Sequence, residues 1–123
     1  MYSLSKKLAI GTAQFGLNYG IANQNGKVNA NQIQSILNFA HENNINTLDT
    51  AKAYGNSEEA IGYHLKDRPN DQWNIITKVN SKVNTVDDQI AESIDKMVIA
   101  PVTVLAHSVA DYLDPPFCEA LHR

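Results

Sequence analysis

The stretch LDTAKAYGNSEEAIG, residues 48–62, decides the fold. It opens on the end of an apolar run, Ile45 to Leu48, which reads as a buried strand. Asp49 follows at once. Five residues on, Tyr54 stands beside Gly55 in a loop. Asn56-Ser57-Glu58-Glu59 then gives a polar start to a short apolar-periodic segment. A carboxylate closes a strand, and a phenol rides the strand-to-helix loop after it. In parallel α/β folds that end of the sheet is the ligand-binding face.

Outward from this stretch the same alternation repeats. Upstream, KLAIGTA (7–13) predicts a first strand ending in a small-residue turn, where Gly11 lets backbone or ligand approach. Gln14 to Lys27 reads as a loop with Phe15, Leu17, Tyr19 and Ile21 as packing points. Asn29 or Asn31 caps a first helix, with Ile33, Ile36, Leu37 and Ala40 on one face. Asn43-Asn44 ends it, and Ile45 to Thr50 is the second strand. A second helix runs from about Ser57 to Leu65, with Ala60, Ile61 and Leu65 inward, and a turn follows at Pro69 to Asp71.

Trp73 to Val79 is the third strand. Thr85 caps a third helix, with Asp88 completing the start signal and Val86, Ile90, Ile94 and Met97 as its buried stripe. Val102 to Ala106 is the fourth strand. Asp114 caps a last helix beginning at Pro115. Four strands alternating with four helices imply a parallel sheet with right-handed crossovers. The strands are apolar rather than alternating, as expected when both faces are covered.

Composition bounds the function. The chain has 123 residues, 43% hydrophobic and 19% charged, enough for one globular domain, residues 1–123. A net charge of −3 argues against nucleic acid as a partner. No apolar window is long enough to span a membrane, and the N-terminus does not read as a signal peptide. The single cysteine, Cys118, fits a reducing cytoplasm and a half-buried place in the last helix, and it is no metal ligand. No metal site is expected. No G-x-G-x-x-G follows the first strand and no Gly-Lys-Ser/Thr occurs, so Rossmann and P-loop readings are weak. Tyr2 and Lys6 share the Tyr-x-x-x-Lys spacing of short-chain dehydrogenases, but they precede every strand and are set aside as chance.

Three ionisable residues fall at the strand ends with one spacing. Asp49 and Lys78 lie 29 residues apart, and Lys78 and His107 another 29. One βα unit is about 30 residues. Equal positions on three successive units therefore carry a carboxylate, an ammonium and an imidazole. Singly, Asp49 reads as a loop cap, Lys78 as a solvated strand end and His107 as a structural histidine. Together with a tyrosine loop they read as a site. His41, His64 and His122 are expected on the surface or a helix side. Glu58 and Glu59 are expected as first-turn partners of the helix dipole.

This cluster suits proton donation to a carbonyl. Tyrosine is a weak acid at neutral pH. An adjacent ammonium favours its ionised form, and a carboxylate keeps that ammonium charged and oriented. An imidazole can hold the substrate oxygen.

The residues Gly11-Thr12-Ala13, LDTAKAYGNSEEAIG, ITK (76–78) and VLAH (104–107) resemble the aldo/keto reductase superfamily, in a bacterial-type branch. The resemblance covers nearly the whole chain. It implies a (β/α)₈ TIM barrel, of which this chain covers about the first four βα units. It implies NADPH-dependent reduction of an aldehyde or ketone, with Asp49, Tyr54, Lys78 and His107 as the catalytic tetrad. It places Gly11, Thr12, Ala13 and Asp49 at the cofactor, with most nucleotide contacts in the later half of such a barrel. The alternative is a non-catalytic half-barrel: a binding or assembly module, or an inactive truncated product. Four strands cannot close a barrel. Open edges on strands one and four, and an uncovered inner face carrying Ile10, Leu48 and Ile76 or their alternates, are expected to drive self-association.

Overall fold

The computed structural model describes residues 4–20, 23–82 and 85–122. Ile21, one of the expected packing points, lies outside them. A 3₁₀ turn, Leu4–Lys7, precedes β1 (Ile10–Gly11) and α1 (Ala13–Gly16). Then come α2 (Ala30–Glu42), β2 (Thr47–Asp49), α3 (Ser57–Leu65), β3 (Asn74–Val79) and α4 (Val86–Met97). The chain closes with β4 (Thr103–Ala106), α5 (Val109–Tyr112) and α6 (Pro115–Leu121). The four strands form one parallel sheet in the order β1-β2-β3-β4. This is the α/β alternation read from the sequence.

The strands are shorter than expected. Lys7 belongs to the 3₁₀ turn, and Thr12 already leads into α1, so β1 keeps two residues. Ladder bonds run one step past β2 at each end, from Asn74 N–H to the Asn46 carbonyl at 2.8 Å and from Thr50 N–H to the Ile76 carbonyl at 2.8 Å. Strand boundaries differ where this pairing thins.

Register sorts the two faces of the sheet. Ile10 pairs with Leu48 and Leu48 with Ile75, while Thr77 pairs with Val104. This face packs under the helices. Leu48 and Ile75 join Phe15, Ile33, Leu37, Ile61 and Met97 in the larger core, and Val79 joins Val86 and Phe117 in a smaller one. The opposite face carries Gly11, Asp49, Ile76, Lys78 and Leu105 by the same register. Two expectations are corrected here. Ile10 and Leu48 face the helices, not the barrel interior. And β3 alternates, with Ile75, Thr77 and Val79 buried and Ile76 and Lys78 only half-buried. One face of the sheet is covered, so the alternation of a one-sided sheet appears.

The helices follow their caps. Asn29, not Asn31, starts α2: the Gln32 N–H donates to Asn29 Oδ1 at 2.9 Å and the Asn29 N–H to Gln32 Oε1 at 3.1 Å. Ile33, Leu37 and Ala40 are buried, but Ile36 sits at the rim of the stripe and is exposed. Tyr19 is exposed as well. Helix α3 has the expected bounds, and Gly62 lets it touch α4: a Cβ there would lie 1.8 Å from the Lys96 carbonyl oxygen. Thr85 caps α4 by accepting the Asp88 N–H at 3.2 Å. Its buried stripe is Val86, Gln89, Ser93 and Met97, with Ile90 partly buried and Ile94 exposed. Gln89 can go inside because both ends of its amide pair with the main chain of Asn80, at 2.7 and 3.1 Å. Asp114 caps α6 as expected, while α5 was not anticipated. Among the described residues no helix is long and apolar enough to cross a membrane.

Candidate active site

Asp49, Lys78 and Tyr54 meet above the C-terminal ends of β2 and β3. The three protons of the Lys78 ammonium have three acceptors: Asp49 Oδ1 at 2.7 Å, the Thr50 carbonyl at 3.0 Å and Tyr54 Oη at 3.4 Å. The ammonium also lies 5.0 Å from the centre of the Tyr54 ring. The Lys78 side chain is 16% exposed and that of Asp49 39%, so the ion pair is half-sheltered and its outer side faces solvent. Such a pair holds geometry more than it adds stability.

The equal spacing of the three strand-end residues does not set them level. Asp49 pairs with Ile76, so Lys78 lies two residues beyond its register partner. Lys78 pairs with Leu105, so His107 is again two residues further. Each step of two keeps the same face of the pleat and advances about 6.6 Å along the strand. The long lysine side chain spans its step and reaches back to Asp49. The imidazole has no such reach. The His107 N–H donates to the Val79 carbonyl at 2.8 Å, which places the residue at the end of β4. Among the described residues its exposed imidazole makes no hydrogen bond or ion pair with the other three.

The Tyr54 loop is held by backbone. The Tyr54 N–H donates to the Ala51 carbonyl at 3.1 Å and the Ser57 N–H to the Tyr54 carbonyl at 3.0 Å. Gly55 adopts φ 57°, a conformation that favours glycine. The loop crosses α1 with no room between: a Cβ on Gly16 would lie 1.7 Å from the Tyr54 carbonyl oxygen, and one on Gly55 would lie 2.3 Å from the Gly16 oxygen.

The other candidates divide. Gly11 is exposed, in register with Asp49, and a Cβ there would meet nothing within 4 Å. Ala13 begins α1 and is half-buried. Thr12 is buried, and its hydroxyl donates to the Asp49 carbonyl at 3.0 Å.

Several residues around the site were not legible in the sequence. Glu58 stands in the first turn of α3 as expected, but it is also buried and accepts from the Thr77 hydroxyl at 3.0 Å. Lys52 lies 3.8 Å from it and 2.7 Å from Glu92, whose carboxyl that hydrogen bond holds below its usual range. Asp111, buried on α5, ties the loops after β3 and β4 together. It accepts from the Ser108 hydroxyl at 2.7 Å and from the Ser81 N–H and hydroxyl, each at 2.8 Å. The Ser108 hydroxyl first, then the two Ser81 donors, lower its carboxyl from 3.8 to about 2. A short Ser-x-x-Asp cap signal at 108–111 was the available clue. His64, on a side of α3, is buried near Arg68, Asp71 and His41. Burial first, and the Arg68 charge second, push its imidazole below the usual value.

A family model of the aldo/keto reductase family matches residues 7–113. The chain belongs to the aldo/keto reductase family. A crystal structure from Pseudomonas aeruginosa, assigned as an aldo-keto reductase, is similar to this chain at 26% identity and a TM-score of 0.71. The match covers 93% of this chain and 49% of that one. A second aldo-keto reductase assignment from the same organism matches at 22% identity and a TM-score of 0.65, again over 93% and 49%, and supports the fold alone. Comparison with curated proteins gave no match. This aldo/keto reductase chain thus spans about half the length of the solved barrels that it resembles, and its four parallel βα units correspond to that half.

Proposed function

We propose that the chain is the catalytic half of an NADPH-dependent reductase that converts an aldehyde or ketone to an alcohol. The observation that carries this reading is the Lys78 ammonium shared between Asp49 and the Tyr54 phenol. Tyr54 donates its hydroxyl proton to the carbonyl oxygen. The O–H bond of the phenol breaks, and an O–H bond forms on the product. The Lys78 charge stabilises the tyrosinate left behind, and Asp49 holds that charge in place. His107, at the end of the neighbouring strand, orients the carbonyl oxygen.

The open surface beside Asp49 supports a flat cofactor ring there, since Gly11 leaves that part of the sheet without a side chain. Gly11, Ala13 and Asp49 would line it, with Thr12 acting from beneath. A bound reduced nicotinamide supplies the hydride that adds to the carbonyl carbon and is itself oxidised. Further nucleotide contacts belong to strands beyond these four units. The partner is a small carbonyl compound rather than nucleic acid or membrane. A lone half-buried cysteine supports a cytoplasmic setting.

The test places these four units in a completed barrel, supplies NADPH and 4-nitrobenzaldehyde, and measures loss of cofactor against alcohol formed. Equal amounts of the two are expected. Cofactor loss without alcohol, or no reaction across a panel of aldehydes and ketones, contradicts the proposal.

A further inference from the structure

Three hydroxyls lie under the site, and none has contact with solvent. Thr12 is 1% exposed, and Thr50 and Ser57 are 0%. Thr50 Oγ1 and Ser57 Oγ are 2.9 Å apart. Ser57 donates to Thr12, at 2.9 Å to Oγ1 and 3.1 Å to the carbonyl. Thr12 donates to the Asp49 carbonyl at 3.0 Å. Each hydroxyl has one proton. Since Ser57 and Thr12 have spent theirs, Thr50 is the donor to Ser57. The chain runs one way, Thr50 to Ser57 to Thr12, and ends on the Asp49 main chain.

The ends of this chain are the backbone of the site. Asp49 carries the carboxylate that accepts from Lys78, and the Thr50 carbonyl accepts from the same ammonium. Ser57 is the first residue of α3, and its N–H closes the turn that presents Tyr54. Three hydroxyls therefore join the end of β1, the end of β2 and the start of α3. Those elements carry or flank Asp49 and Tyr54. A buried hydroxyl chain with every proton used fixes one arrangement, because each lost partner leaves a buried polar atom unpaired.

We propose that Thr12, Thr50 and Ser57 form a positioning unit that sets Tyr54 against Lys78 and Asp49. Thr12 acts here through its hydroxyl from beneath the sheet. The proposal rests on the reductase reading for its kinetic arm only. Its structural arm stands without it.

The test compares isosteric loss of a hydroxyl with its retention. Thr12→Val and Thr50→Val keep the volume and remove the hydroxyl; Thr12→Ser and Thr50→Ser keep the hydroxyl and remove the methyl. Two readouts are taken in a completed barrel: turnover of 4-nitrobenzaldehyde with NADPH, and the NMR signals of the Tyr54 ring. The valine variants are expected to lower kcat about tenfold or more, the scale of a misplaced reacting group. They should also shift the Tyr54 ring signals. The serine variants should restore both. If each serine variant is as impaired as its valine counterpart, the threonines act by packing and the proposal is overturned. It is also overturned if the valine variants keep wild-type kcat and ring signals. If the wild type reduces no carbonyl, the ring signals alone decide: shifted in valine and restored in serine supports the unit, and unmoved signals end it. Should Thr12→Val fail to fold, the Thr50 pair carries the same comparison.

Discussion

A lysine ammonium has three protons, and at Lys78 all three point to acceptors of the site. That saturation fixes the side chain where its charge meets the Tyr54 phenol. Asp49, Lys78 and Tyr54 were legible because each follows an apolar run or a turn signal, and strand ends of parallel sheets gather such groups. His107 was legible as a strand end, but its distance from the others was not, since spacing along the chain says nothing of stagger between strands. The burial of Glu58, His64 and Asp111 was not legible, for one reason. Composition treats a charged or polar residue as exposed, whereas burial depends on partners that only the fold supplies. At His64 the consequence is measurable. Its imidazole is pushed down by burial, then by Arg68, with Asp71 opposing and His41 adding to the depression. The unfolded chain therefore takes up a proton more readily there, and stability is lost as pH falls through the ordinary value of 6.5. Melting temperature should drop between about pH 7.5 and about pH 5.5, and less so in His64→Gln. An equal drop in both proteins would place the pH sensitivity elsewhere.

Among the elements, α3 was read to its bounds, since a polar start and an apolar period agree with the fold. The stripe of α4 was legible at its ends, Val86 and Met97, and one residue off between them. Ile90 and Ile94 are the apolar pattern, but the face that meets the sheet is Gln89 and Ser93, and Gln89 is carried inside by Asn80. Hydropathy cannot register a polar side chain whose hydrogen bonds are met. The short α5 was missed because four residues offer no period to read. Where α3 meets α4, contact runs backbone to backbone at Gly62, and a methyl group would stand 1.8 Å from the Lys96 oxygen. Gly62→Ala must move one helix and should cost about 1–3 kcal/mol, the range for overpacking. Urea unfolding measures it. A variant as stable as wild type would show that the two helices can separate freely.

For the whole molecule, the alternation of strands and main helices was legible, and the edge places of the first and fourth strands followed from an unclosed barrel. The uncovered inner face was expected from a half-barrel, but which residues lie on it was not legible, and Ile10 and Leu48 turn to the helices. The inner face of the sheet bears Ile76 and Leu105 with only partial cover, and β1 and β4 are its edges. A polypeptide of these 123 residues is therefore expected to self-associate in size-exclusion chromatography and to bind NADPH weakly in a fluorescence titration. A compact monomer with micromolar affinity would mean that the four units close on themselves in another way. The proposed chemistry turns on one proton, the one that Tyr54 gives to a carbonyl oxygen. The most direct measurement is kcat for aldehyde reduction by a completed barrel carrying Tyr54→Phe, which removes the hydroxyl and keeps the ring. A loss of about 10²-fold or more with NADPH binding unchanged is predicted; wild-type turnover in that variant would contradict the assignment of Tyr54 as the acid.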